Sequence, residues 1–536
     1  MHIGIDLGTT YSCCSFIDDD GLPRVIPTAD GDLTTPSVIF FDGRTAEVGR
    51  RANARKILRP ALHIYELVKR DMGKPVEIPP NLYGEDDRAI PVAAPYEIGG
   101  FRYGAAGMSA IILRKLKRDA VRWLKRHKKL DSAIDERQLE LDAVITVPAY
   151  FGDKERQDTR LAGYAAGLNV IGMINEPTAA AVSYGLMNHP NRRIMVFDLG
   201  GGTFDVTILH MAQTDATVLG SRGHNALGGR DWDRLIEEYI YAAVQTRTGR
   251  SLPDSAGFDV QQLALDAKHA LSTEDETPVF VTIEGCDVDL RLFRERPADA
   301  GGEFDMPDDR PLDFYFEERS LDLLTQCRVL CESVLSGIEL SHPWGAKRPM
   351  VWGDVDEIIL AGGSCRMPMV AKMLERISGR KVRRQIEGFD VDTAIAKGAA
   401  LYGKHRQRVQ DVVSHSVGVK VMQDERLFVE PLLVKDSPLP AAAEKTYRAG
   451  PKAILTVYEG ESALPDECVM RGRLELDNPE GNVTIEVTQD TNGLLTVTAD
   501  YPPHGKQLVE LRNELFAHGS RAVQLRERVQ AITLNS

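Results

Sequence analysis

An apolar strand followed by Asp-Leu-Gly and small hydroxyl residues occurs twice in this chain, as GIDLGTT at residues 4–10 and as VFDLGGGTFD at residues 196–205. Glycines let the backbone approach a phosphate closely, and successive backbone N–H groups form a concavity that binds anions. The aspartates of the two copies suit a hydrated Mg²⁺, because Mg²⁺ prefers oxygen ligands and keeps several waters. A duplicated lobe would place the two loops face to face across a cleft, so the repeat predicts a phosphate site.

A third glycine signal supports a nucleotide. LAGGS at residues 360–364 follows an apolar strand. A Gly-Gly pair after a strand suits a flat base or ribose lying against the backbone. A Gly-Gly turn alone does not indicate a nucleotide site. It supports one here because the two Asp-Leu-Gly copies already predict a phosphate site.

The sequence pattern divides the chain into two kinds of domain. Short apolar runs such as AVITV at residues 143–147 alternate with helix-period segments up to about residue 404, which is typical of an α/β domain. Farther along, NVTIEVT at residues 482–488 alternates strictly before an Asn-Gly turn, which favours an all-β domain. We therefore predict an α/β domain over residues 1–404, a linker over 405–411, a β domain over 412–511, and a residual helix or tail over 512–536.

Composition narrows the function classes. The 536-residue chain has a net charge of −14 and a pI near 5.5, which argues against nucleic acid as a partner. It shows neither an export signal nor an apolar run of about 18 residues, so we expect a cytoplasmic protein with no membrane contact. The seven cysteines contain no CxxC pair and are interpreted as buried thiols.

Further segments make the chain resemble a known family. The stretches VPAYF (147–151) with ERQ (155–157), INEPTAAA (174–181), LGGRDWD (227–233) and AIAKGAA (394–400) are similar to signatures of the 70-kilodalton heat-shock, DnaK-like chaperones. The match is collinear over about residues 3–404, continues more loosely to about 510, and is closer to the shorter HscC-like bacterial members. It implies an actin-like ATPase domain with ribonuclease H-like duplicated lobes, followed by a β-sandwich that binds peptide.

The resemblance also implies a role for individual residues. The catalytic residues would be Lys69, Glu176, Asp198, Thr203 and Asp205. The ATP contacts would be Gly8, Thr9, Thr10, Tyr11, Gly200, Gly201, Gly202, Lys268, Ser272, Gly362, Gly363, Ser364 and Arg366. Mg²⁺ would be organised, mainly through water, by Asp6, Glu176 and Asp198.

Communication and peptide binding are implied in the same way. The relay between the nucleotide and the peptide would use Pro148, Arg156 and Asp411. The peptide would contact Leu432, Leu433 and Leu455, although ordinary β-domain core is the more common role for such residues. The resemblance thus implies an ATP-dependent chaperone that binds unfolded polypeptide, with a J-domain co-chaperone and an exchange factor as further partners.

Three departures from the family pattern qualify this reading. The aligned linker, RQRVQD at residues 406–411, is polar where the family has an aliphatic run, so docking by apolar burial loses about 25 cal/mol per Å². Residues 512–536 are too few for the helical lid, which predicts fast peptide release. Leu265 aligns with a glutamate near the ribose, and the adjacent Asp266 is a candidate substitute.

Three rival functions stay open at this stage. The polar linker and the short C-terminal segment allow a nucleotide-binding regulator or scaffold, which peptide would not stimulate. A small-molecule kinase of the same superfamily would yield a phosphorylated metabolite. An actin-like filament former would sediment when nucleotide is added.

Overall fold

A computed structural model describes most of the chain. The described residues are 1–58, 63–74, 96–98, 100–136, 139–185, 191–212, 215–253, 256–283, 286–296, 314–341, 347–383, 389–405, 409–423, 426–450, 452–477, 481–502, 504–509, 511 and 519–535.

Lobe I is built on a sheet with strand order β11-β10-β1-β2-β3, in which β4 also pairs with β2. β1 runs parallel to β10 and antiparallel to β2. The elements of lobe I are β1 (His2–Asp6), β2 (Tyr11–Ile17), β3 (Pro23–Val25), β4 (Thr35–Pro36), β5 (Ile39–Phe41), β6 (Thr45–Val48), α1 (Arg50–Leu58), β7 (Ile64–Tyr65), β8 (Tyr96–Ile98), β9 (Phe101–Tyr103), α2 (Ala105–Arg126), β10 (Leu141–Val147), α3 (Asp153–Ala165), β11 (Leu168–Asn175) and α4 (Glu176–Gly185).

Lobe II repeats this topology with strand order β20-β12-β13-β14. β12 runs antiparallel to β13 and parallel to β20, so it corresponds to β1 of lobe I. The elements of lobe II are β12 (Arg192–Leu199), β13 (Phe204–Ala212), β14 (Asp215–His224), α5 (Gly229–Thr248), α6 (Gly257–Leu271), β15 (Glu276–Ile283), β16 (Cys286–Phe293), β17 (Phe314–Tyr315), α7 (Phe316–Arg319), α8 (Leu321–Gly337), β18 (Glu339–Ser341), β19 (Lys347–Pro349), β20 (Glu357–Ala361) and α9 (Pro368–Ser378). The next helix, α10 (Ala394–His405), returns to lobe I and packs on β1, β2 and β10.

Helices α4 and α10 pack against each other where the two lobes meet. Their approach depends on glycine, because a Cβ on Gly398 would lie 1.8 Å from the carbonyl oxygen of Ala179. A Cβ on Gly4 of β1 would likewise lie 2.2 Å from the backbone nitrogen of Ala400. The backbones of α4, α10 and β1 are therefore in direct contact, which fixes the position of the loop after β1.

We expect Gly398→Ala to destabilise the chain by at least about 2 kcal/mol, as overpacking of a close backbone contact does. Alanine has the better helix propensity by about 1 kcal/mol, but a 1.8 Å overlap outweighs that gain. Urea unfolding measures the difference. Gly353→Ala is the control, since its added Cβ meets no atom within 4 Å. Equal unfolding midpoints for the two variants would refute the packing argument.

The following strands form a sandwich of two four-stranded sheets, with orders β23-β22-β25-β26 and β24-β27-β28-β29. Val419, Val457, Val487 and Val497 are fully buried between them. The elements after α10 are β21 (Val409–Gln410), β22 (Val417–Gln423), β23 (Arg426–Leu433), β24 (Ala441–Ala449), β25 (Lys452–Glu459), β26 (Val469–Asp477), β27 (Gly481–Gln489), β28 (Leu495–Tyr501), β29 (Gly505–Leu508), α11 (Gly519–Ala531) and β30 (Thr533–Leu534).

The linker lies on lobe II despite its polar composition. Strand β21 extends the lobe II sheet in parallel to β14, with Val409 opposite Ala216 and Gln410 opposite Thr217. Strand pairing uses backbone groups, so it does not require the aliphatic side chains that the sequence analysis found missing. The first linker residues, 406–408, lie outside the described part of the chain.

No helix within the described residues is both long and apolar enough to cross a membrane.

Candidate functional site

The two Asp-Leu-Gly loops face each other at the junction of the lobes, as the repeat predicted. A Cβ on Gly201 would lie 1.8 Å from Thr10 Oγ1, and one on Gly202 would lie 2.5 Å from Thr9 Cγ2. The loop after β1 is itself tight, since a Cβ on Gly8 would lie 1.9 Å from a backbone oxygen. Glycine is needed at residues 201 and 202 because threonine side chains of the facing loop occupy the space of a Cβ, and at residue 8 because its own turn does so.

The beginning of α5 supports the loop of lobe II. The backbone N–H groups of Gly229 and Arg230 donate to the carbonyl oxygens of Gly200 and Gly201, at 2.9 and 2.8 Å. Helix beginnings carry unpaired N–H groups and a partial positive charge, which favour an anion. The loop that the sequence assigns to phosphate therefore lies against a helix beginning.

Lys69 and Glu176 form a buried ion pair at the cleft. Their side chains are only 4% and 8% exposed. Lys69 lies two positions after Leu67, whose φ of 56° is unusual for a side chain of that size, and such local strain is frequent at functional sites. The lysine Nζ also lies 5.8 Å from the ring centroid of Phe151. The chain thus holds a positive charge at a fixed place.

Three buried carboxylates, those of Asp6, Asp198 and Asp205, lie close enough to Glu176 for its charge to raise their pKa values. Burial, followed by the charge of Glu176, raises the pKa of Asp6 to about 7. The same two causes raise the pKa values of Asp198 and Asp205 well above their ordinary range. Asp198 Oδ2 is buried without a hydrogen-bond partner. Such a cluster is stabilised by a proton or a cation.

The arrangement fits Mg²⁺ held through water. Within the described residues no group of three or more His, Cys, Asp or Glu side chains is close enough to hold a metal directly. Asp6 is the last residue of β1 and Asp198 the last but one of the equivalent strand β12. Asp6 Oδ1 accepts a hydrogen bond from Thr146 Oγ1 at 3.3 Å. Mg²⁺ usually keeps several waters, so carboxylates at a distance can orient it.

The residues assigned to the nucleoside surround the same loop. Ser364 Oγ donates to Gly200 O at 2.9 Å. Lys268 Nζ donates to Gly229 O at 3.0 Å and pairs with Asp233 at 2.6 Å. Gly362 has a φ of 78°, and a Cβ there would lie 2.5 Å from the carbonyl oxygen of Leu199. The third glycine motif is therefore packed directly on the Asp-Leu-Gly loop of lobe II.

The remaining residues assigned to the nucleoside bond to parts of the chain outside the two loops. Arg366 is more than half exposed and pairs with Asp392 at 2.6 Å. Ser272 Oγ donates to the backbone of its own helix, at Lys268 O. Asp266, the candidate substitute for the ribose glutamate, is exposed and accepts a hydrogen bond from Gln262.

Sequence reasoning missed Arg70, which connects the lobes. Its Nε donates to Gly202 O at 3.0 Å, and its Nη2 pairs with Asp231 at 3.1 Å. Asp231 also accepts a hydrogen bond from the N–H of Gly228 at the start of α5. The only sequence signal was its place beside Lys69, since nothing in a linear pattern shows which lobe a side chain reaches.

Arg156, assigned to the relay, joins the two lobes to the sandwich. It is 3% exposed. Its Nη2 donates to Asn175 Oδ1 at 2.7 Å and to Ser414 Oγ at 3.0 Å, and its Nη1 donates to Asn492 O at 3.2 Å. Asn175 Nδ2 in turn donates to Asp411 Oδ1 at 2.9 Å, and Asn175 immediately precedes Glu176. Two of the three predicted relay residues therefore belong to one buried network.

Pro148 lies in the turn that leads from β10 into the same network. The N–H of Ala149 donates to Asp205 Oδ1 at 3.1 Å, and the carbonyl oxygen of Phe151 accepts from Arg156 Nε at 2.9 Å. The short stretch 148–151 thus touches a cleft carboxylate at one end and the domain interface at the other.

The domain interface also contains charges that sequence reasoning did not find. Arg471 of the sandwich pairs with Glu155 of α3 at 3.5 Å and with the buried Glu459. Arg222 of lobe II pairs with Asp436 of the sandwich at 2.8 Å. These residues do not belong to any sequence motif. Ion pairs between segments that are distant in the chain produce no periodic pattern in the sequence.

The predicted peptide contacts are mostly core. Leu433 and Leu455 are 4% and 5% exposed and pack inside the sandwich, which is the alternative that the sequence left open. Leu432 is half-buried at the edge of the same core. By contrast, Met422 and Leu427 are opposite each other on β22 and β23 and are 72% and 53% exposed.

Comparison with known proteins gives one family over almost the whole chain. The model of the Hsp70 protein family matches residues 2–514. A "Chaperone protein DnaK" from Deinococcus radiodurans is 33% identical over 94% of this chain and 78% of its own length. One from Prochlorococcus marinus is 32% identical over 94% of this chain and 77% of its own length. The resemblance found in the motifs is thereby confirmed.

Proposed function

The chain belongs to the Hsp70 family and is an ATP-dependent molecular chaperone with ATPase activity, and we propose that it hydrolyses ATP with Mg²⁺ in the cleft between two actin-like lobes. One observation carries this proposal: the facing Asp-Leu-Gly loops meet beside the buried pair of Lys69 and Glu176. In the same proposal residues 1–404 form the ATPase domain, 405–411 the linker and 412–511 the peptide-binding domain. Residues 512–536 form a residual helix or tail.

The chain's own residues position the phosphates and the attacking water. The backbone N–H groups of the two loops, with Thr9, Thr10 and Thr203, bind phosphate oxygens. Lys69 places a fixed positive charge where negative charge develops on the transferred phosphoryl group. Mg²⁺, when bound through Asp6, Glu176 and Asp198, supplies further neutralisation of the phosphates.

Asp205 is suited to hold a proton from the attacking water. Burial and the nearby charge of Glu176 raise the pKa of this carboxylate well above its ordinary range, which strengthens it as a proton acceptor. The N–H of Ala149 donates to Oδ1 at 3.1 Å and so fixes the position of the carboxylate. We therefore assign Asp205 to positioning the attacking water and not to forming a covalent bond with the phosphoryl group.

An extended apolar peptide would bind at the open end of the β22–β23 hairpin. Within the described residues the ladder between β22 and β25 covers Val417–Val419, whereas β22 continues to Gln423. The exposed Met422 and Leu427 lie at this end, and Ile454 of β25 is 48% exposed. Backbone pairing would supply affinity and these side chains would supply selectivity for apolar residues.

Nucleotide state would govern peptide binding through Pro148, Arg156 and Asp411. The support is the continuous contact from Asp205 and Glu176 through Arg156 to Ser414 and Asn492. Family membership further suggests a J-domain co-chaperone, an exchange factor and a cytoplasmic location.

Single-turnover ATP hydrolysis tests the proposal. At saturating Mg²⁺ we expect slow hydrolysis that an unfolded apolar peptide accelerates about fivefold or more, because coupling between sites is typically about 1–3 kcal/mol. A charged peptide of equal length is the control. Failure to bind ATP with Mg²⁺ would refute the site. Hydrolysis that no peptide changes would refute the coupling.

A further inference from the structure

The segment that follows the sandwich is built into lobe I. β30 pairs in parallel with β6, with Thr533 opposite Thr45 and Leu534 opposite Ala46. Asn535 continues the contact, since its N–H donates to Ala46 O at 2.9 Å and its Nδ2 donates to Thr45 Oγ1 at 2.8 Å. β30 is thus a fourth strand on the sheet formed by β6, β5 and β7.

Apolar side chains fix the same segment from the other side. Val529 is fully buried and Ile532 is 8% exposed, and both belong to the hydrophobic core of lobe I. Ala522 is 5% exposed and packs with Ala106 and Leu161 of α2 and α3. The buried face of α11 therefore belongs to lobe I and not to the sandwich.

Two arginines of α2 bind carbonyl groups of this segment, Arg114 at the end of α11 and Arg118 in β30. Arg114 Nη1 donates to the carbonyl oxygens of Val529 and Ile532, the latter at 2.7 Å. Arg118 Nη1 donates to Leu534 O at 2.9 Å. The last carbonyl groups of a helix have no partner within the helix and carry a partial negative charge, so cations here are favourable.

The sandwich is consequently joined to the ATPase lobes at both ends. Its first end follows β21, which pairs with β14. Its last described residue, Leu511, forms a bridge with Gly472 of the sandwich, and α11 begins at Gly519. The connection from Leu511 to Gly519 is eight residue steps long. At about 3.5 Å for each step, it can span at most about 28 Å.

We propose that residues 519–535 are an anchor that holds the β-sandwich to lobe I at a second point. While the anchor is in place, the sandwich moves away only as far as residues 512–518 reach. A short second connection keeps the effective concentration of the sandwich at its docking surface high, so redocking is favoured in every nucleotide state. The anchor would act in this way whether or not the sandwich binds peptide.

The first test lengthens the connection and leaves every contact of the anchor unchanged. We would insert about twelve Gly and Ser residues between Leu511 and Gly519 and measure the radius of gyration by small-angle X-ray scattering with ADP and with ATP. The insertion should enlarge the radius in ADP, because flexible chain of this length adds about 20 Å of reach. The same insertion after Gly249, at an exposed turn, is the control for added mass. Equal radii for the two insertions would overturn the anchor.

The second test weakens the anchor itself. The double variant Arg114→Ala/Arg118→Ala should raise amide hydrogen exchange in β6 at least about tenfold, since hydrogen bonds from charged groups are lost. It should also enlarge the radius of gyration. Arg122→Ala is the matched control on the same helix, because Arg122 pairs with Glu136 and not with the anchor. Faster exchange with an unchanged radius would mean that the segment only completes lobe I.

Discussion

Replacing Lys69 with methionine should lower the single-turnover rate of ATP hydrolysis at least about a hundredfold while ATP binding changes only a few-fold. Removal of one fixed donor from a site that stabilises developing charge typically costs about 10²–10³ in rate. Methionine keeps the length of the side chain and its contact with Phe151, so the loss reports the charge. Rapid-quench hydrolysis and titration with a fluorescent ATP analogue separate the two quantities.

Lys74→Met is the matched control for this prediction. Lys74 lies five positions later, is 33% exposed and pairs with Asp71 rather than with a cleft carboxylate. We expect its hydrolysis rate to stay within about threefold of the original, as surface ion pairs contribute little. Because Lys69→Met leaves Glu176 buried without its partner, urea unfolding must show that the variant is folded. A folded Lys69→Met chain that hydrolyses ATP within tenfold of the original rate would disprove the assigned role.

The facing loops could be predicted from the sequence because the signal is a repeat. Two related Asp-Leu-Gly segments imply two equivalent strands, and the glycines imply that the two loops approach closely, as they do where a Cβ on Gly201 would lie 1.8 Å from Thr10 Oγ1. The role of Lys69 could not be predicted from a pattern of this kind. A single lysine after an apolar residue carries no chemical pattern, so only the collinear family motifs pointed to it.

The sequence could not show which part of the protein an amphipathic or polar segment packs against. A helical pattern over residues 521–530 shows that one face is apolar, but not that this face packs on lobe I. The linker was judged by its side chains, whereas β21 docks through its backbone. Leu433 and Leu455 lie on strands of the right domain, and their inward direction depends on register, which one slip reverses.

Arg156→Met should abolish the acceleration of hydrolysis by peptide. The guanidinium is buried and donates to Asn175, Ser414 and Asn492, so its removal leaves several acceptors in the interface without donors. Loss of a buried charged hydrogen-bond donor from an interface costs about 2–5 kcal/mol, enough to shift docking about thirtyfold or more. The rate with peptide, divided by the rate without it, should fall to near one.

Arg160→Met, one turn later on α3 and exposed, is the matched control and should keep the ratio unchanged. A double-mutant cycle with Ser414→Ala then tests whether Arg156 acts across the interface. If the 3.0 Å contact between Arg156 Nη2 and Ser414 Oγ carries coupling, the two substitutions will be non-additive in the peptide ratio by at least about 0.5 kcal/mol. Additive effects would place the action of Arg156 within lobe I, through Asn175 and Phe151, and the sandwich would then sense nucleotide by another route.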